Sequence, residues 1–97
     1  MLLNWLEEWY RSSCDGDWEE LYGITISSLD NPGWLVEIDL FETPLENKTL
    51  LPIYIVNTDD DWVCCRTENC RFYGSGDPTK LAYIIEIFKK WTEECIN

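Results

Sequence analysis

The sharpest pattern in the chain is the alternation from Trp34 to Leu40. Trp34, Val36, Ile38 and Leu40 fall on one side, and Leu35, Glu37 and Asp39 on the other. A period of two means a strand with one face buried and one largely wet. Tyr22, Ile24 and Ile26 repeat the pattern more softly against Gly23, Thr25 and Ser27. Between the two runs lies Leu29-Asp30-Asn31-Pro32-Gly33, whose Pro-Gly pair predicts a type II turn with Gly33 at positive φ. The pattern predicts a long antiparallel hairpin, with Asp30 and Asn31 as turn formers.

Before the hairpin, Leu2, Leu3, Leu6, Trp9 and Tyr10 recur at spacings of three and four, which predicts a helix over 2–12. Asn4 and Trp5 flank that stripe, and Glu7–Arg11 is an i,i+4 pair on the wet side. Asp15-Gly16-Asp17 is turn chemistry. The segment 14–20 reads as an acidic surface loop whose Trp18 either folds back onto the core or reaches a partner.

After the hairpin, 41–50 is a connection broken at Pro44. Leu51–Val56 reads as a third strand, and Pro52, with no N–H to give a ladder, argues for a place at the start or the edge of the sheet. Asn57–Asp61 is a turn, Trp62–Thr67 a fourth strand of undecided facing, and 70–73 a possible fifth. Gly74-Ser75-Gly76 reads as a loop, with Asp77 as N-cap and Pro78 as first residue of a final helix over 78–94. Leu81, Ile84, Ile85, Phe88 and Trp91 form its packing stripe, and Glu86–Lys90 pair across one turn.

The expected fold class is α+β: one domain over 1–97, with a single antiparallel sheet of four to five strands. The N-terminal and C-terminal helices are the only elements available to cover its apolar face. The opposite face, with Thr25, Glu37, Asp39 and Tyr54, is left to solvent or a partner.

Composition changes the picture in three ways. Six tryptophans and five tyrosines in 97 residues supply large buried area. Nineteen acids against seven bases give a formal net charge of -12, which disfavours direct binding to nucleic acid or anionic lipid and favours a basic partner. The absence of histidine removes histidine-based acid–base chemistry.

Five cysteines is an odd number, and the adjacent Cys64 and Cys65 point to opposite strand faces. With no basic n-region ahead of an apolar run, free thiols in the cytoplasm are expected. Cys64, Cys65 and Cys70 lack the spacing of a structural zinc site, and the Asp15/Asp17 and Asp59/Asp61 pairs lack the order of a calcium loop. No cofactor, metal or catalytic residue is therefore assigned. A carboxylate-dependent hydrolase remains a remote alternative.

The chain resembles the bacterial immunity proteins of the Imm53 family, which are associated with polymorphic toxin systems. The resemblance is carried by Trp9-Tyr10, the run Cys14-Asp15-Gly16-Asp17-Trp18-Glu19, Gly23-Ile24 and the run Leu29–Trp34. It continues through Ile38-Asp39-Leu40, Asp60-Asp61-Trp62, Phe72, Gly74, Gly76 and the aromatic-rich last helix. It implies a cytoplasmic antitoxin that blocks a cognate toxin domain by stoichiometric binding. The acidic charge suits a toxin with a basic cleft, such as a nuclease. An acidic protein-binding adaptor, or a nucleic-acid mimic occupying a basic protein, is the alternative. On the immunity reading the residues expected to meet the toxin are Asp15, Asp17, Trp18, Glu37, Asp39, Asp59, Asp60 and Asp61.

Overall fold

The computed structural model describes residues 1–96; Asn97, the last residue of the expected domain, lies outside them. The elements follow as α1 (Leu2–Ser13), α2 (Trp18–Leu21), β1 (Ile24–Leu29), β2 (Gly33–Asp39), β3 (Ile53–Thr58), β4 (Asp61–Glu68), β5 (Arg71–Gly76) and α3 (Leu81–Ile96). The strands form one five-stranded sheet in the order β1-β2-β5-β4-β3, every neighbouring pair antiparallel. The arrangement is the expected α+β fold, at the upper end of the expected strand number.

Burial follows the period-two reading. Val36, Ile38 and Leu40 are buried, as are Val63 and Cys65 of β4 and Phe72 of β5. The register Ile38↔Phe72 and Cys65↔Gly74 puts these side chains on one face. On that face α3 lays Ile84, Ile85, Phe88 and Trp91, and α1 lays Leu6 and Trp9. Phe88 is the hub, with ring centroids 5.0 Å from both Trp9 and Phe72. The Trp9 contact is edge-to-face and the Phe72 contact tilted, and aromatic pairs of this kind add about 0.5–1.5 kcal/mol each beyond the area removed from water.

Several local expectations are corrected. Trp5 belongs to the α1 stripe, meeting Phe88 at 5.9 Å, whereas Leu3 and Tyr10 are exposed. Arg11 pairs with Glu8 one turn back, not with Glu7. Pro32 follows a cis peptide bond and Gly33 does not take positive φ, so the β1–β2 turn is not type II. Gly33 is needed there for space, because a Cβ would collide with the Gly76 carbonyl.

Gly74-Ser75-Gly76 is the second half of β5 and not a loop. A side chain on Gly74 would strike Ile84 Cγ2, so this strand is kept bare to let α3 close on it. The β4–β5 connection is Asn69-Cys70, both at positive φ, as a two-residue type I′ hairpin turn requires. The connection 41–52 also contributes to the core, for Leu45 is fully buried and Leu50 nearly so.

The final helix starts three residues later than expected. Asp77 does not cap it; its carboxylate accepts the Thr79 N–H at 2.8 Å and closes the turn that leads into α3.

Candidate partner-binding face

The second face of the sheet is built from the alternate residues. Cross-strand register lines up Leu35 with Ser75, Glu37 with Tyr73 and Asp39 with Arg71. It also lines up Cys64 with Ser75 and with Tyr54, and Val56 with Trp62. Both long helices pack on the other face, so no helix of the described residues crosses this one.

One half of the face is a charged strip. Arg71 Nε donates to Asp39 Oδ1 at 2.6 Å, and its Nη1 lies 3.6 Å from Glu37. The Arg66 guanidinium lies 4.7 Å above the Tyr73 ring and pairs with Glu68 at 3.0 Å. The carboxylates expected to make this face acidic are thus met by arginine. Asp39 is fully engaged, since its Oδ2 also accepts the Gly23 N–H at 3.0 Å.

The other half is apolar and open. Tyr54 is 78% and Val56 52% exposed, and together with Trp62 and Cys64 they line a shallow hollow of about 530 Å³. Asn31 from the β1–β2 turn and Asp59 from the β3–β4 turn close its end. Alternation left the facing of β4 open; burial of Val63 and Cys65 settles it and turns Trp62 outward.

Beside the hollow, Lys80 Nζ bridges Asp61 at 2.7 Å and Asp77 at 2.8 Å. Asp77 is fully buried and also accepts the Trp62 N–H and both Thr79 donors. The Lys80 and Thr79 hydrogen bonds, with the two backbone N–H groups, hold its carboxyl far below the usual range against the opposing effect of burial. Asp61 is lowered as well, first by Lys80 and then by Asn57. A buried carboxylate bonded this completely is a strut, not a proton donor.

The expected contact residues do not form one site. Trp18 is 1% exposed, seated against Trp9 and Tyr22, with its Nε1–H donating to the Phe41 carbonyl at 2.9 Å. Of the two readings open for it, the structure selects the core, so no partner can reach its ring. Asp15 accepts the N–H groups of Asp17 and Trp18 at 2.9 Å, which lowers its pKa and makes it the organiser of α2. Gly16, at φ +100, supplies the turn before it.

The 14–20 loop abuts the Gly23/Asp39 end of the sheet, while Asp59–Asp61 sits at the opposite end with the Asn31 turn. The two acidic loops are therefore separated by the length of the strands. Asp59 and Asp60 are exposed and free of ion pairs, Glu37 is half-buried beside Arg71, and Asp61 is engaged by Lys80. The sequence puts Tyr54 and Val56 on one face of their strand, but neither is among the residues expected to meet the partner. The signal was present in Tyr54, Val56 and Trp62, all of one parity once β4 is oriented.

Among the described residues no three Cys, Asp or Glu side chains are grouped to hold a metal ion. The five cysteines are free, and burial pushes the Cys65 thiol up to about 12. No helix of the described residues is long and apolar enough to cross a membrane.

Among the described residues, the outer sheet face is uncovered and half of it is apolar, which leaves a surface of the kind that meets a protein partner. The family model described as Imm53, Immunity protein 53, matches residues 3–93. The chain belongs to that family. No curated protein and no solved structure matches it.

Proposed function

We propose that this protein neutralises a cognate bacterial toxin domain by stoichiometric binding in the cytoplasm, through the outer sheet face and the Asp59 end of the β3–β4 hairpin. The observation that carries the reading is the pairing of a near-full-length immunity-family match with an open face where Tyr54, Val56 and Trp62 adjoin the unpaired Asp59 and Asp60. Aromatic side chains of this kind supply affinity in interfaces, and rim carboxylates speed encounter with a basic partner. The net charge of -12 favours a toxin with a basic cleft, such as a nuclease. Action is by occupancy and not by turnover.

The cognate toxin is expected to be the variable C-terminal domain of a large secreted protein encoded just upstream, and the test is co-expression with that domain. Growth should be rescued and the two chains should co-purify. A toxin domain that still kills, with no complex recovered, would remove the immunity reading for this pair.

A further inference from the structure

The sheet has two open edges, and they are chemically unlike. β1 carries Thr25, Ser27 and Ser28 among its six residues. β3 reads Ile53-Tyr54-Ile55-Val56-Asn57-Thr58, with no charged residue, and all but Ile53 are exposed. Natural sheets protect such edges with lysine, inward charge, proline or bulges. Here Pro52 lies before the strand and the register irregularity falls between Val56 and Thr58, so the segment from Ile53 to Val56 is unguarded.

Which backbone groups point outward follows from the ladder. The Asp77 N–H donates to the Trp62 carbonyl at 3.1 Å, and the Trp62 N–H donates to the Asp77 carboxylate, so the peptide groups of Trp62 face β5. In an antiparallel strand the N–H and C=O of one residue share a side and alternate from residue to residue. Val63 and Cys65 therefore face β3, and their partners Ile55 and Ile53 bond inward. Tyr54 and Val56 turn their N–H and C=O groups to the open edge. Pro52 shares that parity, and its missing donor is one the sheet does not use.

Resting on the immunity reading above, we infer that the β3 edge takes up an extended strand of the toxin domain, bonded to the outward backbone groups of Tyr54 and Val56, with a Lys or Arg of that strand beside Asp59 and Asp60. Strand addition draws affinity from main-chain hydrogen bonds and specificity from pockets for alternate side chains. The hollow under Tyr54, Val56 and Trp62 receives the side chains that the added strand turns to the outer face. Charge selects the occupant. A second copy would bring another -12 to an edge that ends in unpaired carboxylates, whereas a basic segment is drawn to it.

Amide hydrogen exchange by NMR on the ¹⁵N-labelled chain tests this, alone and in complex with the toxin domain that it protects against in co-expression. In the free chain, Tyr54 and Val56 amides should exchange fast, and Ile53 and Ile55 slowly. In the complex, the Tyr54 and Val56 amides should slow by at least about tenfold, as hydrogen bonding confers. Val56→Pro deletes only an outward donor, so it should keep the fold and weaken the complex. Ile55→Pro, which deletes an inward donor, should unfold the strand.

A complex that leaves the Tyr54 and Val56 amides unprotected overturns the strand-addition inference while leaving the immunity reading intact. Concentration-dependent protection of these amides without toxin would make a second copy the occupant and overturn the assignment. No complex and no growth rescue would end both.

Discussion

Asp77 and Trp62 hold each other twice: the Asp77 N–H reaches the Trp62 carbonyl at 3.1 Å, and the Asp77 carboxylate accepts the Trp62 N–H at 2.8 Å. The double link extends the β4–β5 ladder past its last strand pair and anchors the entry to α3. It also fixes the parity of β4, so that Val63 enters the core and Trp62 lies on the open face. Fold and candidate interface are coupled at this one carboxylate.

Acid should act through that link. The folded-state carboxyls of Asp77, Asp61 and Asp15 are all lowered, so their stabilisation is complete above the unfolded carboxylate value of about 3.9 and is lost as pH falls below it. General relief of acidic repulsion acts in the opposite sense, so the difference between wild type and Asp77→Asn isolates the link. In thermal melts from pH 7 to 2, the variant should be the less stable at neutral pH. The gap should close as pH falls below about 4. A gap that stays constant with pH would show that the Asp77 charge contributes nothing.

Core and face substitutions should separate sharply on β2. Ile38→Ala removes a fully buried side chain and should cost about 2–4 kcal/mol in denaturant unfolding. Glu37→Ala loses a long, partly exposed ion pair to Arg71 and should cost under about 1 kcal/mol. Equal losses would contradict the assignment of faces.

Gly74→Ala tests the close approach of α3. The new methyl group meets Ile84 Cγ2, and overpacking should cost about 1–3 kcal/mol. A neutral result would mean that α3 stands further from β5.

This last contact shows where the sequence was legible and where it was not. The β2 alternation and the α3 stripe report burial directly, because each is a local period set by one covering layer. Gly74 and Gly76 lack side chains for a reason that lies on another element, so they read as loop chemistry and concealed the end of β5. Trp18 sits among carboxylates in sequence, yet its burial depends on Trp9, Tyr22 and the Phe41 carbonyl, which only the tertiary fold assembles. Strand order is equally non-local. It places Asp15 and Asp59 at opposite ends of the sheet, and nothing in either loop announces that.

Binding kinetics should separate the two acidic loops. Charge reversal at Asp59 and Asp60 should lower the association rate with the toxin domain and flatten its salt dependence. The same change at Asp17 should have the smaller effect. Trp18→Ala should register as lost stability, about 3–5 kcal/mol, and not as a faster dissociation of a folded complex. If Asp17 reversal had the larger effect, the interface would lie at the α2 end.

The most direct test of the account is a titration of the purified toxin domain's activity with this protein at concentrations well above the dissociation constant. Binding by occupancy predicts a linear fall in activity that breaks at one equivalent, with no product formed from either chain. Complete inactivation by a small fraction of an equivalent would indicate turnover, and activity unchanged past one equivalent would indicate no inhibition; either result would contradict it.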